Sequence, residues 1–136
     1  AQYVNHYYGT PKDYVEEKLA SGKDVILEIE IQGALKIKKR FPEALLLFVT
    51  PPSAKELRRR LVGRGTETIE VINARLRRAA EEAAGMEAYD YLLINDDIDR
   101  CVEEMHQLIQ QQHNRTFYHL DFLSRMREEL CHLDDE

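Results

Sequence analysis

Between Arg58 and Arg78 the chain reads RRRLVGRGTETIEVINARLRR, seven arginines in a protein whose formal net charge is −6. Arginine presents a planar fork of donors that meets phosphate oxygens two at a time. The stretch is therefore equipment for holding phosphate groups. A solvated helix face can carry the same residues with no ligand. Upstream, Glu28 and Glu30 interrupt the apolar run from Val25 to Ile31. Acids at alternate positions of a strand face one side. Such a pair can hold Mg²⁺, directly or through water, or partner a lysine near phosphates. A half-exposed strand with alternating acids is the other reading. Tyr3, Tyr7 and Tyr8 offer hydroxyls to a phosphate or base, or pack half-buried with the hydroxyl in water.

The elements that must position these groups follow from local pattern. Tyr3 to Tyr8 predicts a strand or hairpin edge closed by Gly9-Thr10. Thr10 caps a helix that runs to Ser21-Gly22-Lys23. Val25 to Ile31 predicts a buried strand, and open α/β folds place ligands at the carboxyl edge of such strands. Ala34 to Arg40 is a short basic helix. Leu45 to Val49 is a second buried strand, stopped by Pro51-Pro52. Ser53 with Glu56 forms a capping box, and Leu57 and Leu61 share the apolar face of the next helix. Arg58, Arg59 and Arg60 spread around that helix, so one ligand cannot meet all three. Gly63-Arg64-Gly65 breaks it. A second capping box at Thr66 or Thr68 starts a helix that continues to Glu87. Two helices hinged at Gly-Arg-Gly have the make-up of a movable, positively charged lid, whose closure would exclude water and strengthen its arginine contacts. Leu92 to Asn95 is a third buried strand, and Ile98 to Gln112 is helical. Strands alternating with helices predict an α/β domain with a parallel sheet. Residues 113–136 predict one more amphipathic helix, packed on its own domain or against a partner or second copy.

Composition narrows the function classes. The chain has 136 residues, 43% of them hydrophobic, enough for one domain with a core. Its acidic balance argues against general nucleic-acid binding, so the arginines form a local patch. Cys101 and Cys131 are the only cysteines. They make a disulfide scaffold a poor reading and fit a reducing cytoplasm. The five histidines are scattered, with no cluster at zinc spacing. No apolar run approaches the roughly 18 residues that span a bilayer, and no signal-peptide pattern is present. Ala1-Gln2-Tyr3-Val4 reads like the interior of a longer chain, so a fragment is expected.

HYYGT, LEIEIQGA, FVTPPS, LRRRLVGRGTET and YDYLLINDD stand in this order. In order and spacing they resemble the guanylate kinases over roughly residues 1–112. The resemblance implies a parallel-sheet, P-loop nucleoside monophosphate kinase-like α/β fold with a helical lid at about 53–87, and residues 113–136 as a C-terminal extension. It implies ATP-dependent transfer of a phosphoryl group to GMP, with Mg²⁺ accompanying ATP. Such transfer relies on positioning and charge neutralisation more than on a covalent group. Carried over by residue, Tyr8 contacts the GMP phosphate, and Thr10 sits at the guanine base. Glu28 and Glu30 form the acidic pair by the GMP site, with Glu30 a candidate Mg²⁺ ligand. Arg60 and Arg75 lie near the transferring phosphates. Arg64 lies on the adenine side, as does Asn95.

One departure shapes the rest of the expectation. The family's Gly-x-x-x-x-Gly-Lys-Ser/Thr loop is absent from these residues. The strand that bears it belongs between those matching 25–31 and 45–49. The resemblance thus implies an N-terminally truncated kinase fold, inactive by itself. Its inner strand edges would be left unpaired or would pair directly, favouring self-association or a domain-swapped dimer. The alternative is a guanylate-kinase-like protein-interaction module without catalysis.

Overall fold

The computed structural model describes residues 2–3, 6–7 and 12–135. They fall in two compact units, Ala1–Ile94 and Asn95–Glu136. In the first, β1 (Gln2–Tyr3) and β2 (His6–Tyr7) form a small antiparallel pair. Helix α1 (Lys12–Ala20) follows, then α2 (Ile31–Arg40), β3 (Leu47–Thr50), α3 (Ala54–Gly63), α4 (Ile69–Ala83) and β4 (Tyr91–Ile94). In the second are α5 (Ile98–Gln112) and α6 (Leu120–Cys131), separated by a 3₁₀ turn at Thr116–His119.

Strands β3 and β4 pair in parallel, with Leu47 opposite Tyr91 and Thr50 opposite Ile94. The loops beside this sheet are stapled by Asp90. Its carboxylate accepts from the Leu46 amide at 2.8 Å and from Lys38 Nζ at 3.1 Å, while its own amide donates to Leu46 O at 2.9 Å. Lys38 Nζ also donates to Ala44 O at 2.6 Å, tying the end of α2 to the loop before β3. Among the described residues of this unit, the buried apolar ones are Ala34, Leu46, Leu61, Ile72 and Leu93. Only Leu93 of the sheet is fully buried; Val49, Tyr91, Leu92 and Ile94 are exposed. Of the strands expected to be buried, β3 is mostly half-buried and β4 mostly exposed.

The predicted strand over Val25–Ile31 does not form. Residues 23–30 belong to no ladder, Ile26 is exposed, and the chain enters α2 at Ile31. β-branched residues favour a pleated, half-buried surface, and they make a strand only where another strand accepts their ladder bonds. Among the described residues none does, and Glu30 turns the chain helical instead. The two segments flanking this gap do not pair directly; β3 takes β4 alone. The helix expected to reach Glu87 ends at Ala83, where Ala84 and Gly85 amides close short bonds to Glu81 O and Glu82 O. Gly85 is the close-approach point: a Cβ there would stand 2.5 Å from Ile31 Cδ1. Helix α5 occupies the predicted Ile98–Gln112, capped by Asp97, whose carboxylate accepts from the Arg100 amide.

Candidate functional site

Local caps build the arginine-bearing hairpin. Ser53 Oγ accepts from the Glu56 amide at 3.1 Å, satisfying one orphan donor of α3. The Glu56 carboxylate turns to Arg59 (Nε 2.8 Å, Nη2 2.6 Å) and Arg60 (Nε 3.0 Å). The Arg59 hydrogen bonds, helped by Arg60, pull the Glu56 carboxyl down to about 2. At the far end Arg64 follows the last residue of α3. Gly65 has φ +65°, the left-handed conformation in which a side chain is strained, and its amide closes the turn on Val62 O at 3.1 Å. Thr68, one of the two threonines expected to cap, accepts from the Val71 amide at 3.3 Å and starts α4.

The three arginines expected of a lid differ in their surroundings. Arg60 is held on Glu56 within α3. Arg75 Nη2 lies 2.7 Å from Glu67 Oε1 in the connecting loop. Arg64 is exposed at the turn between the helices. Of these three, Arg64 faces solvent, while Arg60 and Arg75 are each paired with an acid of the same hairpin.

The acid pair separates. Glu28 is exposed. Glu30 caps α2: Oε1 accepts from the Gly33 amide at 2.7 Å, and Oε2 from the Gln32 amide at 2.7 Å and Arg78 Nη2 at 3.2 Å. Its side chain is only 7% exposed. The expectation that both acids share one face fails because the strand that would impose it is absent. Arg78 also faces Glu82 at 3.3 Å and Glu81 at 3.5 Å. Burial is the main cause raising the Glu82 carboxyl above its ordinary value; Arg78 opposes this and Glu30 adds to it. Burial, then the charges of Glu82 and Glu30, also push the Tyr89 hydroxyl up.

The Glu30 carboxylate is engaged within the protein. Three donors already use its carboxylate, and no group of three or more His, Cys, Asp or Glu side chains among the described residues could hold a metal ion. Tyr8 and Thr10 lie outside the described residues. Asn95 directly follows β4 and opens the second unit. A shallow cavity of about 240 Å³, lined by Phe48, Met86, Tyr89, Tyr91 and Leu92 among others, includes none of the expected site residues. Sequence reasoning missed Arg78 as the partner of Glu30, and Glu82 as a second acid on the same guanidinium. Their helical spacing was legible, but Arg78 and Glu30 lie 48 residues apart.

The guanylate kinase family model matches residues 1–112. The chain belongs to the guanylate kinase family. It is 53% identical over 113 residues to the guanylate kinase of Halalkalibacterium halodurans, covering 83% of this chain and 55% of that protein. To the guanylate kinase of Lactococcus lactis subsp. lactis it is 45% identical over 136 residues, 100% of this chain and 63% of that protein. The C-terminal residues past the family match are therefore shared with that relative. The crystal structure of guanylate kinase from Anaplasma phagocytophilum superposes with a TM-score of 0.70 at 30% identity, over 85% of this chain and 55% of that one. The chain spans about half the length of such relatives. The helix-rich α/β fold with a small parallel sheet is that of a guanylate kinase. Among the described residues no helix is long and apolar enough to cross a membrane.

Proposed function

We propose that these residues form the lid and the C-terminal part of the nucleotide-binding core of an ATP-dependent kinase of GMP. The observation that carries this reading is the α3–α4 hairpin with Arg60, Arg64 and Arg75 arranged around a Gly-Arg-Gly turn in a guanylate kinase fold. In this reading Arg64 is ready to meet phosphate oxygens from solvent. Arg60 and Arg75 exchange their acid partners for phosphate as the lid closes, a like-for-like replacement of one anion by another. Mg²⁺ enters with the phosphates of ATP and supplies charge neutralisation there. Tyr8, Thr10 and Glu28 are assigned to GMP, and Asn95 to the adenine side.

The sequence contains no Gly-x-x-x-x-Gly-Lys-Ser/Thr loop. These residues alone are therefore expected to bind nucleotide weakly without turnover. Calorimetric titration of GMP, beside a coupled assay for ADP, tests this. Weak binding without ADP formation supports the reading, and sustained turnover by pure chain refutes it. Self-association is part of the proposal. Its support is a parallel sheet of two strands with Tyr91, Leu92 and Ile94 exposed. A monodisperse monomer in light scattering contradicts that part. A cytoplasmic setting is the matching proposal for location, supported by Cys101 and Cys131 both being free thiols.

A further inference from the structure

Arg78 ties helix α4 to the residue that caps α2. Arg78 Nη2 reaches Glu30 Oε2 at 3.2 Å, and Arg78 Nε lies 3.3 Å from Glu82. Arg78 is 18% exposed, Glu30 7% and Glu82 22% by side chain. One guanidinium thus serves two largely buried carboxylates. Without it the two acids would face each other uncompensated, which is the costly way to break a buried pair. Glu30 would then escape to water and abandon the amides of Gln32 and Gly33. Those amides have the Glu30 carboxylate as their acceptor.

We propose that Arg78 is a positioning residue of the nucleotide site: by holding Glu30 as the cap of α2 it fixes α4, and with it Arg75 one turn earlier, relative to the GMP-side acids. The proposal rests on the reading of this chain as part of a GMP kinase. It also assigns Glu30 a structural duty in place of a metal-binding one. The hinge at Gly63–Gly65 then moves α3 and the turn, while the Arg78 end of α4 stays anchored.

The test compares the full chain with its Arg78→Ala and Arg78→Lys variants by amide hydrogen exchange and by GMP calorimetry. In Arg78→Ala, exchange at Gln32 and Gly33 accelerates about fivefold or more, the size of a lost side-chain cap. GMP binding weakens about tenfold, the response to roughly 1.4 kcal/mol of lost positioning. Arg78→Lys keeps one charge contact and loses the fork, so it falls between. It also carries the test if Arg78→Ala does not fold. In a Glu30→Gln background, Arg78→Ala adds little to the loss of GMP affinity, a coupling that general destabilisation would not produce. Unchanged exchange at the two amides in a folded variant overturns the proposal. Faster exchange with unchanged GMP affinity overturns its link to the site. A wild-type chain with no GMP affinity refutes the functional reading, and the exchange data still decide the tie between α4 and α2.

Discussion

Replacing Asp90 removes the staple beside the parallel sheet, and the size of the effect follows from its contacts. The carboxylate accepts from the amide of Leu46, a residue only 7% exposed, at 2.8 Å. A hydrogen bond to a charged group is worth about 1.5–3 kcal/mol, and the amide left behind would be partly buried and unsatisfied. The ion pair to Lys38 is shorter than 4 Å, with side chains 29% and 33% exposed. At that exposure it adds less than about 1 kcal/mol. Lys38 keeps its bond to Ala44 O after the change. Asp90→Ala should therefore cost about 2–3 kcal/mol. Asp90→Asn keeps an acceptor for the Leu46 amide and loses only the charge, costing about 0.5–1 kcal/mol. Urea unfolding followed by circular dichroism resolves that order. For a chain of this length the midpoint temperature should fall about 3–4 °C per kcal/mol. An Asp90→Ala chain within 0.5 kcal/mol of wild type, about the scatter of ordinary surface changes, would refute the idea that this staple holds the sheet. So would Asn costing as much as Ala.

The two glycines of the α3–α4 turn should respond in opposite directions. Gly65→Ala forces a methyl into φ +65° and should destabilise by about 1 kcal/mol, whereas Gly63→Ala, helical and in open space, should stabilise by about 0.5 kcal/mol. Thermal melts of the two variants check the contrast. Glu56 should show a signed pH dependence. Its folded value of about 2 lies below the ordinary 4.5 because Arg59, then Arg60, bind the ionised form. Its contribution is therefore present above about 4.5 and lost as the pH falls through about 2. The stability gap between wild type and Glu56→Gln, seen in urea melts near neutrality, should close on acidification. A gap that persists at the acid limit would contradict the assignment.

What the sequence revealed was whatever is decided locally. Ser53, Thr68 and Asp97 cap their helices within three residues of themselves, so α3, α4 and α5 were legible from spacing alone. The strand expected over Val25–Ile31 was not, because a ladder depends on a partner strand and not on the β-branched residues that would join it. Glu30 shows the same limit at the site. Its residue type was right for a ligand acid, yet both of its oxygens are engaged by α2 amides and by Arg78 from far along the chain. The arginines are of a type suited to phosphate, and their place on the α3–α4 hairpin was legible. That Arg60 and Arg75 sit on Glu56 and Glu67 depends on how side chains settle after the hairpin forms.

The proposed phosphate-binding role of the α3–α4 hairpin makes Arg64 a contact of ATP. Calorimetric titration of ATP into the chain and its Arg64→Ala variant tests it most directly. Arg64 is exposed at the turn after α3. Wild type should bind ATP weakly and the variant about tenfold or more weaker still, the worth of a charge-assisted contact to phosphate. Equal ATP affinity in the two proteins would contradict it.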